Sequence, residues 1–309
     1  MVLLDTVFIL ELFLRYYEKS ILLNNQNPHN TGITRDLLLF ENQLPYFLLE
    51  ELYILASPVD GAKQSYPPFV ALCCKFFRDY CLPNIQLNEV KGKHFIDMIR
   101  CALLTNHSTT DQVGRIVQFV NVVQLEKFGV TFKSFEGEGL LNVKFRNKWG
   151  RLEWFKKYNP LWLKEGQLLI PKLKIEHYTE GLFCNLMAYE QSCFPFEAHI
   201  CEYIVLMGHL IYSKEDVDLL LKEHIIEFEH ADPKKVVKMF KELHDGIKRS
   251  DSYYGELSKS LVAYVDNYWN RTKAETKRDY FNSFWKVVIG IFSIFTFVFG
   301  LIVFVQKIS

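Results

Sequence analysis

The sequence predicts a mostly helical α+β body carrying one C-terminal transmembrane helix, and three observations predict that class. Apolar residues recur at helical spacing through most of the chain, as in Val2, Leu3, Phe8, Ile9, Leu12, Phe13 and Tyr16. Residues 130–175 alone switch to alternation, in VTFKSF, LLNVKFR and QLLIPKLKI, with Gly137, Gly139, Gly150 and Gly166 around them. Val287 to Val305, VVIGIFSIFTFVFGLIVFV, holds nineteen residues without a charge. The expected organisation is a mostly helical soluble domain over 1–265, a basic and aromatic juxtamembrane segment over 266–286, a transmembrane helix over 287–305 and a short tail over 306–309.

The first helix is expected at MVLLDTVFILELFLRYYEK. Asp5 and Glu11 interrupt its apolar run and no basic region precedes it, so it does not read as a signal peptide. After the polar loop NNQNPHNTG, Thr34 is expected to cap a helix with Asp36 in its first turn, and Leu37, Leu38, Phe40, Leu44, Phe47, Leu48 and Leu52 are expected to form an apolar face. Pro45 is expected to open a second helix with Asn42 near its cap. Glu41, Asn42 and Gln43 form a polar group inside this apolar hairpin. They read either as satisfying backbone groups at the helix junction or as a binding or acid–base site.

PPFVALCCKFFRDYCL and KHFIDMIRCALL read as further short helices, and QVGRIVQFVNVVQLEKFG as a longer one stopped by Gly129. Within the strand region, the insert WGRLEWFKKYNPLWLKEG is rich in Trp and Lys. It reads as a hairpin extension packed by its Trp residues, or as an exposed recognition or membrane-touching loop. Helical spacing resumes in TEGLFCNLMAYEQ and AHICEYIVLMGHLIY. Ser213 to Asp216 reads as a capping-box start for VDLLLKEHII, and Asp232-Pro233 opens KKVVKMFKELHDGI. A last amphipathic run, YYGELSKSLVAYVDNYW, leads into the basic segment.

Composition narrows the function classes. Lys plus Arg equals Asp plus Glu at 36 each, and outside the juxtamembrane run the basic residues are dispersed, so no nucleic-acid partner is expected. Aromatic residues at 15 % fit a packed domain rather than disorder. Seven cysteines make an odd number without a CxxC pair, and most of them are expected as buried thiols in a reducing compartment. Two glycosylation sequons, Asn106-His107-Ser108 and Asn270-Arg271-Thr272, match the number chance supplies.

The motifs GxSxG, HExxH, GxxxxGK, GxGxxG and the EF-hand loop are absent from the sequence. No catalytic residue, no cofactor and no metal site is expected, and the chain is not read as an enzyme. The nearest approach to a ligand or nucleophile cluster is His199-Ile200-Cys201 with Cys193, which reads as helix packing on so apolar a run.

As a helix, residues 287–305 would extend about 28 Å, close to the roughly 30 Å of a bilayer core. Fifteen of the nineteen are Val, Ile, Leu or Phe, for an insertion term on the order of 5–9 kcal/mol. Ahead of them the membrane-interface residues are expected to be Trp269, Arg271, Lys273, Lys277, Arg278, Tyr280, Trp285 and Lys286, whereas Lys307 alone is basic behind. That asymmetry predicts a cytosolic N-terminal domain, and the four-residue tail predicts post-translational tail anchoring, with the plasma membrane or endoplasmic reticulum as the expected location and membrane lipid as an expected partner. Gly290, Ser293, Thr296 and Gly300 fall on one helical face, where small side chains let a second copy approach and form a homo-oligomer.

DLLLFENQLPYFLLEELY at 36–53, GVTFK at 129–133, LLIPKLKIEHYTEGLFCNLMAYEQ at 168–191, KEDVDLLLKEHII at 214–226 and WNRTKAETKRDYFNSFW at 269–285 occur in that order. Together they make the chain resemble the plant family catalogued as domain of unknown function 247, also called uncharacterised protein family 0481. Its members usually carry a further region ahead of the DxxFILELF segment, here Asp5 to Phe13, so a shortened member is expected. The resemblance implies a plant-specific, single-pass membrane protein without an established biochemical activity. Some grass relatives are linked to pollen–stigma self-incompatibility, which implies an interaction or recognition module with a protein partner. A degenerate copy of the family and a membrane-surface enzyme with no recognisable motif are the alternative readings.

Overall fold

The computed structural model describes residues 2–22, 31–56, 67–77, 92–104, 114–115, 120–135, 139–148, 165–228, 232–247 and 251–266. The α+β class expected from the sequence is the one observed, with a mostly helical chain and a small sheet. Residues 267–286 of the juxtamembrane segment, residues 287–305 and the tail lie outside the described residues, as do both sequons and residues 149–164 of the Trp- and Lys-rich insert. Among the described residues no helix is long and apolar enough to cross a membrane.

Helix α1 (Val2–Leu22) forms over the expected spacing and turns Ile9, Leu10, Phe13 and Tyr16 inward. Then come α2 (Thr31–Leu37), α3 (Tyr46–Ala56), α4 (Phe69–Phe76) and α5 (Phe95–Leu104). Phe13 joins α1 to α4 and α5, its ring lying 4.3 Å from Phe76 and 5.5 Å from Phe95, so an aromatic cluster fills this part of the core. The boundaries differ from the expected ones. Thr34 is buried inside α2 instead of capping a helix, and α2 ends at Leu37, where the apolar face was expected to begin. The Gln43 side chain gives the Leu37 carbonyl a partner, which lets the helix stop there. Pro45, not Asn42, opens α3: its carbonyl accepts the N–H groups of Leu48 and Leu49.

The run expected as one long helix over 112–129 contains instead β1 (Gly114–Arg115) and α6 (Val122–Lys127). Asn121 sets the start of α6, because its side chain accepts the Gln124 N–H at 2.9 Å while the Gln124 side chain accepts the Asn121 N–H. Gly129, at φ 80°, ends that helix in the left-handed region as its composition predicted.

The expected strands appear as β2 (Val130–Phe135), β3 (Lys144–Lys148) and β4 (Glu165–Pro171), in the order β2-β4-β3, although β3 overlaps the expected LLNVKFR only from Lys144, residues 140–143 lying outside the strand. Strand β4 is central, parallel to β2 with Val130 opposite Gly166, and antiparallel to β3. It continues into β5 (Leu173–Lys174), and the chain then enters α7 (Thr179–Cys193), α8 (His199–Leu210) and α9 (Lys214–Lys222). Strand β6 (Ile226–Glu227) pairs with β5 where the sequence predicted continued helix, because α9 stops at Lys222 and His224 takes φ 55°. After α10 (Pro233–Asp245), β7 (Asp251–Ser252) returns to pair with β1, and α11 (Gly255–Asp266) follows. Strands β1, β6 and β7 lie outside 130–175, so that region is not the sole β structure.

Helix α8 is central to the second half of the core, with Ile200, Tyr203, Ile204, Leu206, Met207 and Leu210 fully covered by α7 and α10 and their surroundings. Its near-continuous apolar composition is the signature of a helix buried on all sides. The α9 and α10 starts follow the sequence closely. Asp216 reaches back to the Ser213 N–H at 2.8 Å, and Asp232 accepts the Lys234 N–H at 3.0 Å with Pro233 at the first helical position. Against β4, Gly166 leaves room for α11: a Cβ there would stand 2.9 Å from the Tyr264 ring, whose hydroxyl accepts the Gly166 N–H.

Candidate functional site

Two features of the folded body stand apart from ordinary packing: a buried polar node joining α2–α3, α5, α7 and α8, and an exposed apolar surface on α1 and α3. The node begins at the ENQ group. Gln43 donates through Nε2 to the Leu37 and Leu39 carbonyls at 2.8 and 2.7 Å, and its Oε1 accepts the Ile96 N–H of α5 at 3.1 Å. Asn42 donates to the Asp36 carbonyl, and the Phe40 N–H donates to Asn185 of α7. Of the two readings of Glu41, Asn42 and Gln43, the backbone-satisfying one is observed for Asn42 and Gln43. Glu41 is exposed.

Next along the node, Arg100 of α5 and Glu190 of α7 form an ion pair at 2.9 Å, with side chains only 7 % and 0 % exposed. Arg100 also donates to the Glu197 carbonyl at 2.8 Å, and its guanidinium lies 4.2 Å from the Phe194 ring centroid. The second Glu190 oxygen accepts the N–H groups of Ile200 and Cys201, the first-turn donors of α8 that have no intrahelical partner. Burial pushes the Glu190 carboxyl up from the usual carboxylate range, while Arg100 and these N–H groups pull it the other way. One carboxylate therefore closes three helices around itself.

Around the pair, Asp97 accepts the Lys93 N–H at 2.8 Å, and the Tyr46 N–H donates to the Lys93 carbonyl at 2.7 Å, tying α3 to the start of α5. Burial pushes the Tyr189 hydroxyl up, with Asp97 adding to it, and pushes the His94 imidazole down. These directions keep Tyr189 and His94 neutral near pH 7. Glu190 is fully covered and each of its oxygens is engaged, so this carboxylate positions helices.

Sequence reasoning missed the Arg100–Glu190 pair. Its signal was charge inside two apolar stretches, Arg100 (with Asp97) in FIDMIRCALL and Glu190 in LMAYEQ, ninety residues apart. In the Cys193–His199–Cys201 group the packing predicted from the sequence holds for Ile200 and Cys201 and not for Cys193. Ile200 and Cys201 are buried, burial pushes the Cys201 thiol up to about 12, and Cys193 is exposed. Cys73 and Cys74 are buried as expected, whereas Cys184 and Cys193 are exposed. Among the described residues no group of three or more His, Cys, Asp or Glu is placed to hold a metal ion.

The exposed surface is built by helical periodicity. On α1 the buried stripe through Thr6, Ile9, Phe13 and Tyr16 leaves Leu4, Phe8, Glu11, Arg15 and Glu18 on the opposite side, at spacings of four, three, four and three. On α3, burial of Leu49 and Tyr53 leaves Phe47, Glu51, Ile54 and Leu55 outward. Leu4 is 75 % exposed, Phe47 67 % and Leu55 78 %. The two helices pack against each other, and most of the large exposed hydrophobics among the described residues lie on them. The predicted interface residues Trp269, Arg271, Lys273, Lys277, Arg278, Tyr280, Trp285 and Lys286 and the association face Gly290, Ser293, Thr296 and Gly300 lie outside the described residues.

Fold and node together define a helical α+β scaffold whose buried charges are spent on holding helices in place. The chain belongs to the family described as plant protein of unknown function, DUF247, which matches residues 1–299. It is similar to the UPF0481 protein At3g47200 of Arabidopsis thaliana, with 27 % identity over 272 residues, covering 82 % of this chain and 55 % of that protein. The chain thus spans about half the length of this curated relative. No solved structure matches it.

Proposed function

We propose that the chain is a membrane-anchored interaction module, held by residues 287–305 with its helical body on the cytosolic side, and that it is not an enzyme. The observation that carries the interaction reading is the apolar surface of α1 and α3. Leu4, Phe8, Phe47, Ile54 and Leu55 face outward on packed helices, and exposed groups of large apolar side chains mark association sites. The charge-free run Val287–Val305 and the five-to-one bias of basic residues across it support the anchor and the orientation. Full occupation of Arg100 and Glu190 supports a positioning rather than a catalytic use of the buried charges.

Proximity labelling of the full chain in plant cells, against a Leu4→Ser/Leu55→Ser variant, tests this reading. Cytosolic neighbours that disappear in the variant are the expected result. Identical neighbours for both chains would refute the interaction face, and exclusively lumenal neighbours would refute the orientation.

A further inference from the structure

We infer that the partner fitting the α1/α3 surface is an amphipathic helix whose apolar stripe is flanked by Lys or Arg. This rests on the reading of that surface as the interaction face and names the chemistry of what covers it. Each outward stripe mixes large apolar side chains with carboxylates. On α1, Leu4 and Phe8 give way to Glu11, Arg15 and Glu18, with Asp5 also exposed. On α3, Glu51 stands among Phe47, Ile54 and Leu55, with Glu50 at the flank, half-buried.

The charge balance chooses the partner. The sequences of α1 and α3 hold five carboxylates, Asp5, Glu11, Glu18, Glu50 and Glu51, against Arg15 and Lys19, five minus two leaving three negative charges. Arg15 is already committed to Glu11 at 2.6 Å. A bilayer of anionic lipid would meet these carboxylates with like charge. A second copy docking through the same face would do the same, and juxtaposed like charges select against a partner. An apolar stripe with basic flanks covers the hydrophobic side chains and neutralises the rim together.

Size and shape select a helix. Residues 4–18 of α1 rise about 21 Å, so the partner needs roughly four turns to cover them. Side chains three and four apart on neighbouring helices form ridges into which a third helix packs.

The test uses the full chain in phosphatidylcholine nanodiscs, with signal on empty discs subtracted. The probes are a fluorescent eighteen-residue Lys/Leu peptide of helical periodicity, its Glu/Leu counterpart and a scrambled Lys/Leu peptide. The Lys/Leu peptide is expected to bind at least tenfold more tightly than the other two, and more weakly as salt rises. Glu18→Lys/Glu51→Lys is expected to weaken it about tenfold and strengthen the Glu/Leu peptide. Equal binding of the Lys/Leu and Glu/Leu peptides, with both lost in Leu4→Ser/Leu55→Ser, would overturn the basic partner and leave the apolar face standing. Lys/Leu binding unchanged in Leu4→Ser/Leu55→Ser would overturn the face as well. Dimerisation of the chain abolished by Leu4→Ser/Leu55→Ser, or binding of anionic vesicles through the same residues, would replace the proposed occupant and overturn the inference.

Discussion

Removing the guanidinium of Arg100 isolates a carboxylate that no water reaches. In Arg100→Met, Glu190 keeps the N–H groups of Ile200 and Cys201 but loses the cation at 2.9 Å, and the Glu197 carbonyl loses its donor at 2.8 Å. Breaking a buried pair from one side costs about 3–5 kcal/mol, which at ~2–4 °C per kcal/mol is a fall of roughly 6–20 °C in Tm. Arg100→Met/Glu190→Gln is the informative companion. The Gln carbonyl still accepts from the first turn of α8, but the unbalanced charge is gone, so about 2 kcal/mol of the loss returns as the buried-charge penalty disappears. Urea unfolding of the full chain in detergent, followed by far-UV circular dichroism, measures both. A double variant no more stable than Arg100→Met would refute the reasoning, since the cost would then lie in packing around the arginine rather than in an uncompensated charge.

Burial pushes the imidazoles of His94 and His209 down, with His244, 5.1 Å from His209 between ring centroids, adding repulsion to the latter. Each is held neutral in the fold and protonates more readily when unfolded. Their contribution is therefore complete above the ordinary imidazole value near 6.5 and is lost as pH falls below it. Unfolding curves from pH 7.5 to 5 check this, and His209→Gln flattens the dependence. Asp216, fully buried, accepts the N–H groups of Val123, Tyr212 and Ser213 and the Ser213 hydroxyl. Asp216→Ala is expected to cost about 2–3 kcal/mol, and denaturant unfolding at pH 7.5 measures it.

The sequence carried local punctuation better than long-range pairing. Asp232-Pro233, Ser213 with Asp216, and Gly129 marked element ends because capping and left-handed backbone are satisfied within a few residues. Alternation marked β2 because Val130 and Phe132 are buried while Thr131 and Lys133 are exposed, whereas central β4 buries Leu168, Leu169 and Ile170 in succession; neither pattern could say that β2 and β4 run parallel, which depends on partners thirty-six residues apart. The same limit hid the Arg100–Glu190 pair and the β1–β7 ladder, both formed by residues ninety or more positions apart. Helix spacing overran at 112–129 because Val and Phe satisfy either period. The Asn121 side chain and the pairing of residues 114–115 decided the outcome there. The apolar start of α1 was plain in the sequence, but that Leu4 and Phe8 stay exposed while Phe13 is covered required the positions of α4 and α5.

The claim that a hydrocarbon-soluble run near the C-terminus fixes this helical body to a lipid surface is tested most directly by fractionation of the full chain from plant cells. After alkaline carbonate and ultracentrifugation without detergent, the chain should sediment with membranes, be released by detergent, and move to the supernatant when residues 287–305 are deleted. Recovery of the full chain in the supernatant would contradict the account.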